Sequence, residues 1–425
     1  MVPHLITALT GPINELEARV LESMPAIERW FRLEWMEHTP PFYTSVDLRN
    51  AGFKLAPVDS ELFPHGFHHL TEAMLPLAVQ AAMAAIEKIC PEAKNLLLIP
   101  ADCRHSFYLA HLQRLVRIFT LAGLNVRLGS FDPALTAPRT LALPDGEELA
   151  LEPVVRRRRR LGLANFDPCT VLLNDALAHG VPPALRGLHE QYLLPPLHAS
   201  CAVRRKSRHF QSYEEVAKKF AKLLGMDPWL ITPLTGAGCR IAADGSGLEA
   251  LEASADALLA KLRRKHKEYG IADKPYVVLK ADAGRDGDSI VALRDAAELD
   301  APALRAQLFA DGQTAREMLA QEGVPTHERI HEAVAEPVVC MIDRYVIGGY
   351  YRVHAGRRAD ENLAAPGSDF VPLAFAESHH LPRRGLKPGA SAPNRFYMYG
   401  VVGRLAMLAA AYELEATDPD AESYE

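Results

Sequence analysis

A lysine that closes an apolar strand and opens a glycine-bearing loop is a common way for a chain to meet a phosphate. Tyr276-Val-Val-Leu-Lys280 reads as a short β-rich strand, and Lys280 leads into Ala-Asp-Ala-Gly-Arg-Asp-Gly-Asp-Ser289. Gly284 and Gly287 would let backbone N–H groups approach an anion while the ammonium neutralises it. Asp286 and Asp288 work against that approach unless a metal or Arg285 offsets them. Asp360-Glu-Asn-Leu-Ala-Ala-Pro-Gly367 sets Glu361 beside Asn362 ahead of a turn, hard oxygen donors that Mg²⁺ accepts together with phosphate oxygens. Glu336-Pro-Val-Val-Cys-Met-Ile-Asp343 reads as a strand ending in a carboxylate, followed by a Gly348-Gly349 turn and a second strand carrying Arg352. Such a hinge offers backbone groups to an adenine edge around Asp343, Tyr345 and Val346. Taken singly, each segment is more often an ordinary turn or a solvated acidic loop.

Asp47, Arg49, Asn50, Lys54 and Asp59 crowd both signs of charge into one short stretch. An α-amino acid needs a cationic and an anionic partner, and this stretch has both; structural ion pairing would explain it equally well. His65, His68 and His69 share a loop without a carboxylate at metal spacing, so substrate or surface contact is the expectation rather than a metal. The five arginines at 156–160 read as a solvated hairpin edge.

These residues must be held by elements. Hydrophobic periodicity predicts helices over 12–37, 71–89, 107–122, 212–224 and 247–268, and another around 313–321. Ser212 with Glu215 three residues later makes a capping box for the fourth. Strands are expected at 95–99, 125–129, 171–174, 276–280, 338–342 and 350–354, with a hairpin in the proline-rich stretch 133–153. Strand alternating with helix implies an α/β fold. The acidic tail from about Glu415 is expected to fray.

The chain has 425 residues, room for two or three domains, and 48% hydrophobic residues supply a sizeable core. With 47 basic against 53 acidic residues the net charge is −6, which argues against a nucleic-acid partner. Six scattered cysteines without a CxxC pair argue against a disulfide framework and a structural zinc site. The start lacks the basic flank and continuous apolar core of an export signal, and no run approaches the roughly 20 apolar residues of a spanning helix. A cytoplasmic protein without a membrane partner is the expectation, and a homo-oligomer is compatible with it.

Order along the chain says more than any one motif. Lys206 before a helix, Lys280 closing a strand, an Arg352 strand and the Glu361-Asn362 turn together resemble the ATP-grasp fold. Thr44-Ser-Val-Asp-Leu-Arg-Asn-Ala-Gly-Phe-Lys-Leu-Ala-Pro-Val-Asp59, Arg204-Arg-Lys-Ser-Arg-His-Phe210, Lys280-Ala-Asp-Ala-Gly284, Ile342-Asp-Arg-Tyr-Val346 and Glu361-Asn-Leu363 resemble the proteobacterial glutamate–cysteine ligase family over nearly the whole chain. The resemblance implies an N-terminal α/β, substrate-binding domain over 1–200 and an ATP-grasp-like domain over 201–425. It implies ATP and Mg²⁺, amino-acid substrates, and joining of the glutamate γ-carboxylate to the cysteine amine through an acyl phosphate, the first step of glutathione synthesis. Lys206, Lys280, Gly284, Asp343, Tyr345 and Val346 would hold nucleotide, and Glu361 and Asn362 the metal. Arg352 and Lys280 would act in catalysis, and Asp47, Arg49, Asn50, Lys54, Asp59, His68 and His69 would meet the amino acids. The chain departs from the family pattern at His65, His68, His69, Ser200-Cys201 and 285–289, which keeps open a different acid and amine pair, or an inactive homologue.

Overall fold

The apolar runs of the first half become parallel strands. In a computed structural model of the chain, β4 (Asn95–Pro100), β5 (Asn125–Ser130) and β10 (Thr170–Asn174) lie at the centre of a six-stranded sheet. β11 (Tyr192–Leu194) extends it parallel to β10, and the hairpin of β6 (Arg139–Ala142) and β7 (Glu148–Pro153) completes the other side. Leu96-Leu-Leu-Ile99 and Val171-Leu-Leu173 are continuous apolar runs because both faces of these strands are covered. α3 (Leu75–Ile89) and α4 (Ser106–Leu121) supply one cover. The structure describes residues 5–6, 12–101, 103–143, 145–178, 180–188, 190–284, 290–309, 312–373 and 396–419. The expected phosphate-loop residues Arg285, Asp286, Asp288 and Ser289 lie outside them.

A second sheet, of seven antiparallel strands, is centred on β17 (Ala333–Ile342) and β18 (Tyr345–His354). β16 (Arg329–Ile330) and β1 (Leu5–Ile6) prolong one end, and β19 (Asp369–Pro372) pairs with β18. The last two strands come from the far end of the chain: β2 (Tyr43–Asn50) pairs with β17 from Ile342 to Val338, and β3 (Leu55–Glu61) pairs with β2. Gly348-Gly349, expected as a turn, lies inside β18; the turn is Asp343-Arg344, with Asp343 left-handed at φ 47°. Gly349 is needed for close approach, since a Cβ there would sit 2.2 Å from the Val338 carbonyl oxygen.

The third sheet has the order β12 (Cys239–Ala242), β15 (Ala315–Glu322), β13 (Val277–Ala281) and β14 (Val291–Leu293), and is covered by α6 (Leu248–Glu268) and α7 (Pro302–Leu308). The expected helix around 313–321 is therefore corrected to a strand. Ala-Arg-Glu-Met-Leu-Ala-Gln-Glu is built of good helix formers, but hydrogen bonding to β12 on one edge and β13 on the other overrides a weak local preference.

The expected helix over 12–37 is two helices, α1 (Pro12–Glu22) and α2 (Met24–Glu37), with Pro25 in the first turn of the second. α8 (Phe396–Thr417) is buried on nearly all sides and packs on α5 (Lys206–Leu224). The expected fraying from Glu415 does not hold to Thr417, because Glu415 accepts hydrogen bonds from Thr39 N at 3.1 Å and pairs with His38 at 2.8 Å. The arginine run forms the hairpin of β8 (Val155–Arg157) and β9 (Arg160–Gly162). Among the described residues no helix is long and apolar enough to cross a membrane.

Candidate functional site

A cavity of about 570 Å³ lies between the four-stranded and seven-stranded sheets, within the usual size range of small-molecule sites. Strand alternation delivers its wall. On β13, Val277, Leu279 and Ala281 pack into the core under α6, which turns Val278 and Lys280 to the cavity. On the opposing sheet Asp47, Arg49, Asp59 and Glu336 face it from β2, β3 and β17.

Two lysines converge at one end. α5 begins at Lys206 rather than at the expected Ser212, because its cap comes from another segment. Ser207 N and Oγ donate to the Asp282 carboxylate at 2.7 and 2.8 Å, and Lys206 N donates to Asp282 O at 2.8 Å. A carboxylate at a helix N-terminus satisfies orphan N–H groups and suits the dipole. Asp282 follows β13, so the cap also brings Lys206 beside Lys280. Lys206 Nζ lies 3.2 Å from Asp59 Oδ1, and Lys280 Nζ donates to Val58 O at 2.6 Å. Burial opposes ionisation of Asp59, but the two ammoniums outweigh it and hold its carboxyl well below the usual range. Burial, opposed by Asp59 and reinforced by Lys206 and Arg49, brings Lys280 down to about 8. Lys206 moves the other way: burial lowers it, and Asp59 and Glu61 outweigh that. Gly284, left-handed at φ 93°, donates its N–H to Cys201 O at 3.1 Å and lines the same end.

The middle of the cavity is a buried charge cluster. Arg352 Nη1 donates to Asp47 Oδ2 at 2.7 Å and to Glu336 Oε1 at 2.5 Å, while Arg49 Nε donates to Glu336 Oε2 at 2.8 Å. Burial raises Asp47, with Arg352 opposing and Glu336 adding to the rise; Glu336, between two guanidiniums, is held low despite its burial. Arg49 Nη2 also donates to Glu361 O at 2.6 Å, which fixes the acidic turn over the cavity. There the Glu361 carboxylate accepts from Arg358 N at 2.7 Å, Asn362 Oδ1 accepts from Ala364 N at 3.0 Å, and Asp360 pairs with Arg294. Asp360, Glu361 and Asn362 all line the cavity.

The sequence model of the glutamate-cysteine ligase family (GshA) matches residues 17–414. The chain belongs to the glutamate–cysteine ligase family. It is 49% identical to a protein from Methylobacillus flagellatus KT provisionally named gamma-glutamylcysteine synthetase, whose crystal structure superposes with a TM-score of 0.90 over 98% of this chain and 100% of that one. A glutathione synthetase like-effector (GSS30) from Globodera pallida, in its apo form, aligns with a TM-score of 0.39 at 10% identity over 85% of this chain and 84% of that one, too distant to carry an argument. No curated protein matches the chain. Membership establishes a ligase.

In this glutamate–cysteine ligase family member the cavity gathers Asp47, Arg49, Asp59, Lys206, Lys280, Gly284, Glu361 and Asn362, with Arg352 bonded to two of its lining carboxylates. Other expected residues are not brought there. Lys54 is fully buried and donates to Glu322 Oε1 and Oε2 at 2.9 and 3.0 Å and to Thr232 O at 2.8 Å, so it is a structural cation rather than a substrate contact. Asn50 Nδ2 donates to Glu328 Oε1 at 3.0 Å and its Oδ1 accepts from Gly52 N at 2.9 Å, which assigns it to the hairpin turn. Asp343, Tyr345 and Val346 sit at the far end of the β17–β18 hairpin, several residues beyond the Glu336–Arg352 pair, and do not line the cavity. His68 and His69 lie outside the cavity: His69 stacks on Phe370 at 3.9 Å and lies 4.7 Å from Tyr350, two residues from Arg352. Burial first, then neighbouring histidines and Arg352, push His69 down to about 3. Among the described residues no three metal-ligating side chains gather.

Sequence reasoning missed Glu336 and Tyr276, which line the cavity, and Asp282, whose cap on α5 positions Lys206. Glu336 had a signal, a carboxylate set at the head of the apolar run Val338-Val-Cys-Met-Ile342, where an unpaired charge is not tolerated. Asp282 had none, because its partner at Ser207 is remote in sequence.

Proposed function

We propose that this ligase joins the γ-carboxylate of glutamate to the amine of cysteine at the expense of ATP, through an acyl phosphate on an ATP-grasp-like frame. The observation that carries the reading is the convergence of Lys206 and Lys280, from separate elements, across one cavity from Glu361 and Asn362. The lysines suit the nucleotide phosphates, each charge-assisted contact contributing about 1.5–3 kcal/mol. Val278, Ile290, Val291, Leu304 and Val324 offer an apolar wall to the base.

The acidic turn fits magnesium. Glu361 and Asn362 line the cavity and carry a carboxylate and an amide oxygen, and Mg²⁺ takes one or two protein carboxylates with the rest of its shell from phosphate and water. Bound there, the ion would neutralise charge on the phosphate oxygens. The chain's own residues do the remaining work. Asp47 and Arg49 are the opposite charges an α-amino acid requires. Arg352 engages carboxylates through Nη1; it is our choice for the group that steadies the acyl phosphate. The P–O bond to the leaving ADP breaks as the glutamate oxygen bonds to phosphorus. The amine then displaces phosphate from the acyl carbon, and the protein's contribution is positioning and charge neutralisation. A reaction drawing on ATP and a reduced thiol belongs in the cytoplasm, at the head of glutathione synthesis.

The test supplies the purified chain with ATP, Mg²⁺ and glutamate, adds cysteine or each other amino acid, and follows ADP release and product mass. γ-Glutamylcysteine with cysteine is expected. Efficient turnover with a different amine alone would overturn the substrate pair, and no ADP release with any amine would overturn the ligase chemistry at this cavity.

A further inference from the structure

Outside the cavity lining, two thiols meet. Cys90 caps the C-terminus of α3 and Cys169 immediately precedes β10; they are 79 residues apart in the chain, yet Cys90 Sγ donates to Cys169 Sγ at 2.9 Å. A disulfide needs about 2.05 Å, so closure requires a shift of under an ångström. The approach is set by main chain as well as by rotamer. Cys90 N donates to Ile86 O at 2.8 Å, Cys90 O accepts from Ala93 N at 2.9 Å, and Cys169 O accepts from Tyr192 N at 2.9 Å. Both residues are half-buried, within reach of a small molecule, and neither takes part in the chemistry above.

We infer that Cys90 and Cys169 form a dithiol site that takes up the oxidising equivalent of a small-molecule disulfide and closes reversibly into an intramolecular disulfide. One cysteine thiolate attacks the external disulfide, forming a mixed disulfide and releasing one small thiol. The second cysteine, deprotonated, attacks the protein sulfur of that mixed disulfide and releases the other small thiol. Two protein thiols are oxidised, one external disulfide is reduced to two thiols, and each leaving thiolate takes up one of the two protons the cysteines release. Closure ties the α3–β4 connection to the entry of β10, and β4 and β10 are already paired in parallel from Leu96 opposite Thr170 to Pro100 opposite Asn174. The inference does not depend on the ligase reaction.

The test uses the full chain, reduced and then equilibrated at graded ratios of reduced to oxidised glutathione, quenched by alkylation and mapped as non-reduced peptides. A Cys90–Cys169 linked peptide should rise with the oxidised share and disappear when the protein is returned to reduced buffer. Cys90→Ser and Cys169→Ser should each abolish that peptide and leave a glutathione adduct on the remaining cysteine. Absence of the linked peptide at full oxidation would overturn the inference, as would indiscriminate linkage among all six cysteines or a bond that persists in native protein under excess reductant. The wild-type titration decides the matter even if a serine variant fails to fold.

Discussion

Lys54→Met separates a structural cation from a substrate contact, and the structure fixes how large the effect should be. The Lys54 ammonium makes three charge-assisted hydrogen bonds, to both oxygens of Glu322 and to Thr232 O, and lies 4.3 Å from the Trp229 ring centroid. Methionine refills most of the stem's volume but leaves the Glu322 carboxylate buried, with Trp229 Nε1 at 3.1 Å and Leu234 N at 2.8 Å as its remaining donors. Three such bonds have a gross worth of about 5–9 kcal/mol at about 1.5–3 each. The two remaining donors to Glu322 offset part of that, and the expected net loss is about 3–5 kcal/mol, the usual result of breaking a buried pair. Urea unfolding followed by tryptophan fluorescence reads it directly, since Trp229 sits in the cluster. Lys54→Met/Glu322→Gln should lose less than the sum of the two single variants by at least about 1 kcal/mol. An unchanged unfolding midpoint together with a raised KM for an amino-acid substrate would refute the reasoning and return Lys54 to the binding site.

Lys280, brought down to about 8, must be protonated to hold phosphate, so kcat/KM for ATP should fall as pH rises through about 8, and Lys280→Arg should move that limb to higher pH; a profile flat to pH 10 would count against the assignment. Glu361→Gln should raise the Mg²⁺ concentration needed for half-maximal activity while shifting stability by no more than about 0.5 kcal/mol, and an unchanged Mg²⁺ titration would remove it from the metal site. Asp59, Glu336 and Glu413 of α8, which accepts from Arg204 Nε at 3.1 Å, have carboxyls held below their unfolded values, so the unfolded chain binds more protons: their contribution is present above about pH 4.5 and is lost as pH falls toward the depressed folded values. Thermal midpoints that do not fall between pH 5 and pH 3 would contradict this.

Much of the fold was legible because its signals are local. The buried strands at 95–100 and 170–174 are uninterrupted apolar runs, and α4 and α6 repeat their apolar residues with helical period. What escaped was decided at long range. β2 and β3 carry Asp47, Arg49 and Asp59, with Lys54 in the turn between them, and such strands show no clean alternation because their charges are paired inside the protein. β15 reads as helix and is held as a strand by its neighbours. In the site, Lys280, Glu361 and Asn362 stood out through residue type and adjacent turns, and Lys206 and Asp59 through the family pattern. The structural duties of Lys54 and Asn50 did not, because Glu322 and Glu328 lie 268 and 278 residues away.

The pairing of β2 with β17 also sets a timetable for making the protein. The hairpin leaves the ribosome early, yet the strand that must receive it ends about 280 residues later. At about 5–20 residues per second that interval is about 15–55 s, during which two strands rich in unpaired charge have no sheet to join. A fragment beginning near residue 201 would in turn expose the edge of β17 that β2 covers, an open invitation to pair with another chain. The cavity therefore comes into being late, when β2 and β3 meet strands made hundreds of residues after them, and a newborn chain has no such cavity until that closure is made.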